Sequence, residues 1–322
     1  MNDTPKEPKL VEVSAAVLQK PDNSFLLAQR PKDKIWAGYW EFPGGKLEPG
    51  ETAHHALIRE LHEELGIEVE TAYPWITRIF TYPHATVRLN FFRVTQWRGE
   101  PHPHEGQQFA WQVPGSTAVS PILPANAPVL RALELPPLYA ISNVKELGGE
   151  EFLIRLQAAL NKGLRLVQLR EKELSREALR ALALRMLPLL RAQDAQLIIN
   201  ADVELAQEIG ADGVQLTAAQ LGSLRERPPL PWCAASCHSA DELRRAQELG
   251  CDFALLSPVL ATLSHPGEQT LGWDEFSRIV QGSTIPVYAL GGLQTQDMEA
   301  AWQRGAHGIA LLRQAWPEGL PP

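Results

Sequence analysis

From Leu138 onward the chain repeats one unit, a short apolar run followed by a stretch of helical periodicity. The runs fall at 138–141, 164–169, 196–199, 213–216, 232–236, 253–256, 286–290 and 308–312, and helical patterns such as 176–190, 240–249 and 295–304 separate most of them. Runs this short and this uniformly apolar read as strands, and a helix between successive strands is the connection that a parallel sheet needs. Eight such units predict an α/β fold closed into a (β/α)8 TIM barrel, whose last helix is missing or vestigial because only residues 313–322 follow the eighth run.

A chain of 322 residues is long for one hydrophobic core, so two domains are expected. Leu135-Pro136-Pro137 marks the break, since two prolines cannot extend a helix and stiffen what they join. The predicted domains are therefore 1–134 and 138–322. In the first, residues 11–18, 24–28 and 87–95 read as strands, the last rich in β-branched and aromatic side chains. A helix is expected from Thr52, a candidate N-cap, to Leu65, with Gly66 just past its end. Ala56, Leu57, Leu61 and Leu65 give that helix one apolar face, and a second helix is expected over 127–133.

Charged residues make up 21% of the chain and the net charge is −8, which offers no basic footprint for a nucleic-acid polymer. A small phosphorylated substrate remains compatible, because a bound divalent cation supplies positive charge. Residues 1–10 are polar and no run approaches bilayer-spanning length, so neither a secretory leader nor a membrane partner is expected. The three cysteines, Cys233, Cys237 and Cys251, read as reduced thiols of a cytoplasmic protein. Cys233, Cys237 and His238 lack the second ligand pair of a zinc site, which favours small buried strand residues. Nothing in the sequence decides against a homo-oligomer.

The first domain carries a second constraint. Glu60, Glu63 and Glu64 stand at i, i+3 and i+4 of the predicted helix, so their carboxylates share a face and repel. A hard divalent cation is the natural counterweight, and Glu51, just before the helix, can join the set. Arg59 can hold one carboxylate through a paired hydrogen bond, while Gly44 and Gly45 permit a sharp turn and close approach of backbone to ligand. A solvated acidic face explains the glutamates alone but not their fixed offsets from Gly45, Glu51, Arg59 and Gly66.

Gly45, five residues, Glu51, seven residues, then Arg59-Glu60-Leu61-His62-Glu63-Glu64-Leu65-Gly66-Ile67 resembles the full Nudix box. The segments 41–46, 97–101, 105–107 and 124–126 resemble its MutT branch, which removes oxidised guanine nucleotides such as 8-oxo-dGTP from the nucleotide pool. The resemblance implies an α/β/α sandwich and Mg²⁺, with Mn²⁺ also compatible, held by Glu60, Glu63, Glu64 and Glu105 with support from Glu51. It implies that Glu60 takes a proton from the attacking water, that Asn126 reads the oxidised guanine edge near Phe42, and that Arg30 meets the phosphates. Products would be a nucleoside monophosphate and pyrophosphate. Where the branch often carries an arginine, this chain has Tyr82-Pro83-His84-Ala85. His102 and His104 read as exposed loop residues rather than ligands.

The second domain resembles thiamine phosphate synthase and its TenI-like relatives in residues 138–142, 167–172, 198–200, 211–214, 237–239 and 289–292. Each patch lies at or near the C-terminal end of a predicted strand, where barrels build their sites. Gln168, Arg170, Lys172 and Asn200, with the Gly291-Gly292 turn, would hold a phosphorylated ligand. The synthase's two Mg²⁺-binding aspartates correspond to Ala201 and Gln220, its later lysine to His265, and the TenI histidine to Pro258. The resemblance thus implies a barrel that binds a phosphorylated ligand but has lost synthesis. Two other functions stay open: a Nudix domain acting on thiamine-pathway diphosphates, and a barrel serving only as sensor or scaffold.

Overall fold

The protein is described by a computed structural model covering residues 10–104, 106–262 and 269–316. It divides into two compact units, one ending at Glu134 and the other beginning at Leu135.

The first unit holds β1 (Leu10–Leu18), β2 (Phe25–Gln29), β3 (Trp40–Glu41), β4 (Gly44–Lys46), α1 (Ala53–Leu65), β5 (Glu68–Tyr82), β6 (Ala85–Arg98), β7 (Phe109–Gln112) and α2 (Ala127–Leu133). One sheet has the order β4-β1-β6-β5 and a smaller one β3-β2-β7. Alternation along β1 divides the core. Ala16 and Leu18 pack with Leu57, Leu61 and Leu65 of α1, while Ala15 and Val17 pack with Phe42, Phe91 and Val129 on the side of α2. Helix α1 starts and stops as its sequence demands. Thr52 accepts from His55 N–H, and Gly66 takes the left-handed conformation at φ 65° while donating to His62 O.

In the second unit, β8 (Leu138–Ile141), β9 (Leu166–Leu169), β10 (Gln196–Asn200), β11 (Gly213–Leu216), β12 (Trp232–Cys237), β13 (Phe253–Leu256), β14 (Val287–Leu290) and β15 (Gly308–Leu311) close into a parallel barrel. Tyr139, Phe253 and Tyr288 fill its interior with ring centroids 5.6 Å apart. Among the described residues a 3-10 turn over Arg313–Ala315 follows β15. Cys233, Cys237 and Cys251 are free and buried.

Two features differ from the sequence reading. Leu135-Pro136-Pro137, left between the two expected domains, belongs to the barrel unit. Leu135 is buried and its carbonyl accepts from His307 Nε2, Pro136 O accepts from the Tyr288 hydroxyl, and Pro137 O accepts from Ile309 N–H. The 15-residue strand β5 was not expected, because register shifts and Pro74 break the alternation that would reveal it. Among the described residues no helix is long and apolar enough to cross a membrane.

Candidate active sites

The Nudix-type segment folds around one guanidinium. Arg59 Nε and Nη2 donate to the two oxygens of Glu51 at 3.1 and 3.0 Å, and Nη1 donates to Glu60 Oε1 at 2.9 Å and to Glu63 Oε2 at 3.4 Å. Nη2 also reaches Lys46 O at 3.1 Å, tying the helix to β4. These bonds to Arg59, helped by Glu48 N–H, hold the Glu51 carboxyl below its ordinary range, and Glu51 and Glu60 in turn push Arg59 further up. Glu51 and Glu60 keep only 14% and 16% of their side-chain surface exposed, whereas Glu63 keeps 59%, so the set opens to solvent at Glu63.

Both glycines are dictated by contact. A Cβ on Gly45 would sit 2.1–2.3 Å from the Glu60 carboxyl atoms, and one on Gly44, at φ 140°, would lie 2.1 Å from Ser14 O. Gly44 N–H donates to Glu64 Oε2 at 3.2 Å, so α1 and β4 are joined by this carboxylate as well as by packing. Among the described residues no three His, Cys, Asp or Glu side chains already close around a metal-sized point. The donor set nonetheless fits a hard divalent cation, being several carboxylates with oxygen donors only, on one rigid helix and its flank. Glu105 lies outside the described residues.

The residues assigned to the nucleotide are placed unevenly. Asn126 is 3% exposed at the junction of the 3-10 turn Pro124–Asn126 with α2, caps nothing, and its buried Nδ2 has no partner. Phe42 is a core residue, stacked edge-on against Phe91 at 5.5 Å. Arg30 is already engaged, donating to Glu41 Oε1 at 2.5 Å and to Ile35 O at 2.7 Å. Burial pushes the Glu41 carboxyl up against the opposing pull of Arg30. Sequence reasoning missed an aromatic cluster here. Trp36, with φ 64°, lies 5.0 Å from Tyr39 and 5.8 Å from Tyr82, whose hydroxyl is hydrogen-bonded to the Ala125 backbone. Its signal was faint, since isolated aromatics in a loop carry no period. His102 and His104 are exposed, and their N–H groups donate to Leu65 O and Glu64 O at the end of α1.

The barrel opens into a cavity of about 770 Å³ at the C-terminal ends of its strands. Gln168, Arg170, Lys172, Asn200, Gly291 and Gly292 all line it, as expected for one site. Ser236 and His238 line it too and were not assigned there from sequence. Gln168 is 1% exposed and its buried Oε1 has no partner. No Asp or Glu is among the described residues that line it. The nearest acidic candidates in sequence are spent elsewhere: Glu171 accepts from Ser142 Oγ and Val144 N–H, and Asp202 caps Leu205 N–H and pairs with Arg176. Gln220 is locked as well, accepting from Thr217 and donating to Ala201 O at 2.7 Å. His265 lies outside the described residues.

Comparison with known proteins places both units. Residues 138–315 match the thiamine monophosphate synthase family and residues 14–132 match the Nudix domain family. The chain therefore belongs to the thiamine monophosphate synthase family through its barrel and carries a Nudix hydrolase domain before it. The "Putative thiamine-phosphate synthase 2" of Aquifex aeolicus (strain VF5) is 38% identical over 180 residues, 55% of this chain and 96% of that protein. The CTP pyrophosphohydrolase of Escherichia coli (strain K12) is 39% identical over 124 residues, 38% of this chain and 91% of that protein. An 8-oxo-dGTP diphosphatase of Proteus vulgaris is 42% identical over 92 residues, 29% of this chain and 82% of that protein.

Proposed function

We propose that the N-terminal unit is a divalent-cation-dependent nucleoside triphosphate pyrophosphohydrolase, with 8-oxo-dGTP as substrate and 8-oxo-dGMP and pyrophosphate as products. The observation that carries this reading is the convergence of Glu51, Glu60 and Glu63 on Arg59, with Glu64 held by Gly44 N–H. Glu60, Glu63 and Glu64, joined by Glu105, are the residues to hold Mg²⁺ or Mn²⁺. When bound, such a cation neutralises pyrophosphate charge and acidifies a water. The chain's own groups do the rest. Arg59 fixes Glu51 and Glu60 in place, Glu60 accepts the proton of the attacking water, and Gly45 leaves room for that carboxyl. Buried and unpaired, Asn126 Nδ2 is a donor suited to a base carbonyl.

For the barrel we infer binding of a phosphorylated thiazole- or pyrimidine-type molecule without a divalent cation and without thiamine phosphate synthesis. Support comes from a cavity lined by Arg170 and Lys172 and, among the described residues, by no carboxylate. The Arg170 side chain makes no ion pair among the described residues, and burial pushes its pKa down.

Steady-state hydrolysis of 8-oxo-dGTP, dGTP, CTP, thiamine diphosphate and hydroxymethylpyrimidine diphosphate with Mg²⁺ tests the first reading. Nucleoside triphosphates, led by 8-oxo-dGTP, should give the highest kcat/KM. A thiamine-pathway diphosphate as best substrate would replace it.

A further inference from the structure

On the α2 side of the first unit's larger sheet, two rows of side chains run across three strands. Arg78 of β5 pairs with Leu89 of β6, which pairs with Val13 of β1, and Phe80, Val87 and Val11 form the next row. Residues directly opposite one another in a ladder point to the same face. That face is the one on which Leu89 packs against the core containing Phe42, Phe91 and Val129. All six residues are only half-buried, whereas Ala15 and Phe91, one row further, are fully buried. An apolar floor is thus left partly open, with β5 as the sheet edge. Tyr82, two residues beyond Phe80, ties this end of β5 to the turn that carries Asn126.

Among the described residues of these two rows Arg78 is the half-buried cation, while Lys46 of β4, opposite Val13, is exposed. Arg78 Nε is buried without a partner, and its side chain makes no hydrogen bond or ion pair among the described residues. Burial lowers its pKa and no carboxylate opposes the shift. A half-buried guanidinium without counter-charge or acceptor is costly to the free protein, so a ligand that meets it gains what the fold forgoes. Asn126 Nδ2 is the second unmet donor near this face, and Arg30 is no substitute because Glu41 and Ile35 O already occupy it. We propose that this face is the floor of the base cleft, and that Arg78 acts with Asn126 to donate hydrogen bonds to a base with a carbonyl acceptor edge. Guanine, oxidised guanine and cytosine offer such an edge. Adenine, whose exocyclic amine is itself a donor, does not.

The proposal rests on the nucleotide reading of the N-terminal unit but is tested without turnover. Full-length wild-type protein and Arg78→Met are titrated with 8-oxo-dGMP, dGMP, dCMP and dAMP by calorimetry. Arg78→Met should weaken the three oxo-base ligands about 10–100-fold and leave dAMP unchanged. Its Tm should stay level or rise, since methionine suits the apolar floor and an unpaired charge is removed. An equal loss for all four ligands would move Arg78 to the phosphate or sugar, and no loss, or no binding by the wild type, would remove it from the site. A lowered Tm with loss of all binding would make it a structural residue, with Arg78→Lys as the second variant to separate folding from contact. Failure of the hydrolase reading shows up separately, as wild-type protein that binds the monophosphates yet cleaves none of the triphosphates.

Discussion

In the N-terminal unit Glu51, Glu60, Glu63 and Glu64 crowd one face of a helix and its flank, whereas the described residues that line the barrel cavity include Arg170 and Lys172 and no acid. Each arrangement suits a phosphate, by opposite routes. Excess negative charge calls for a metal to mediate contact, and a cavity with cations and neutral donors takes the anion directly. On the proposed reading, the positions of acids, more than those of bases, separate a phosphate-cleaving site from one that only holds phosphate.

The largest effect should come from breaking the acidic side. Glu63→Gln or Glu64→Gln is expected to lower kcat about 10²–10³-fold while the far-ultraviolet circular dichroism is unchanged, because metal charge is lost and core packing is not. Near-normal turnover by either folded variant would dissolve the contrast. On the barrel side, Arg170→Ala should weaken thiazole phosphate, measured by calorimetry, about 10–100-fold. EDTA should abolish hydrolysis and leave that binding intact. A chelator-sensitive barrel would make the two sites alike.

A smaller effect sharpens the comparison within the first unit. Asn126→Ala should reduce kcat/KM for 8-oxo-dGTP about tenfold more than for dGTP, because a buried donor loses its carbonyl partner. Equal losses would mean that Asn126 does not read the base.

Smallest is an acid-stability effect. Arg59 holds Glu51 below its ordinary range, so the contribution of that pair is fully present above the unfolded carboxyl value and is lost as pH falls through the folded one. Arg59→Met should therefore be less stable at neutral pH and lose less stability on acidification, as followed by urea unfolding at pH 7 and in the acid range.

Legibility followed the range of the interactions involved. Helix α1 was readable to its caps because Thr52, Gly66 and four apolar residues are local signals, and the eight barrel strands were readable because each is a short buried run between helices. Strand β5 was hidden because its pairing with β6 slips at Val69, Thr71 and Pro74, and β3 and β4 because two or three residues carry no period. At the sites, the carboxylates announced themselves through spacing. The commitment of Arg30 to Glu41 and the isolation of Arg78 depend on which strands lie side by side, which spacing along one chain cannot report.

The proline segment before the barrel decides where the chain can be severed. A barrel expressed from Leu138 would strip the Tyr288 hydroxyl, His307 Nε2 and Ile309 N–H of the acceptors they now use, and both side chains are fully buried. Each hydrogen bond lost contributes about 0.5–1.5 kcal/mol, so such a fragment forfeits part of a typical domain's margin. Recombination or subcloning that respects the protein must cut ahead of Leu135, and the two prolines travel with the barrel as its first residues rather than with the hydrolase as its last.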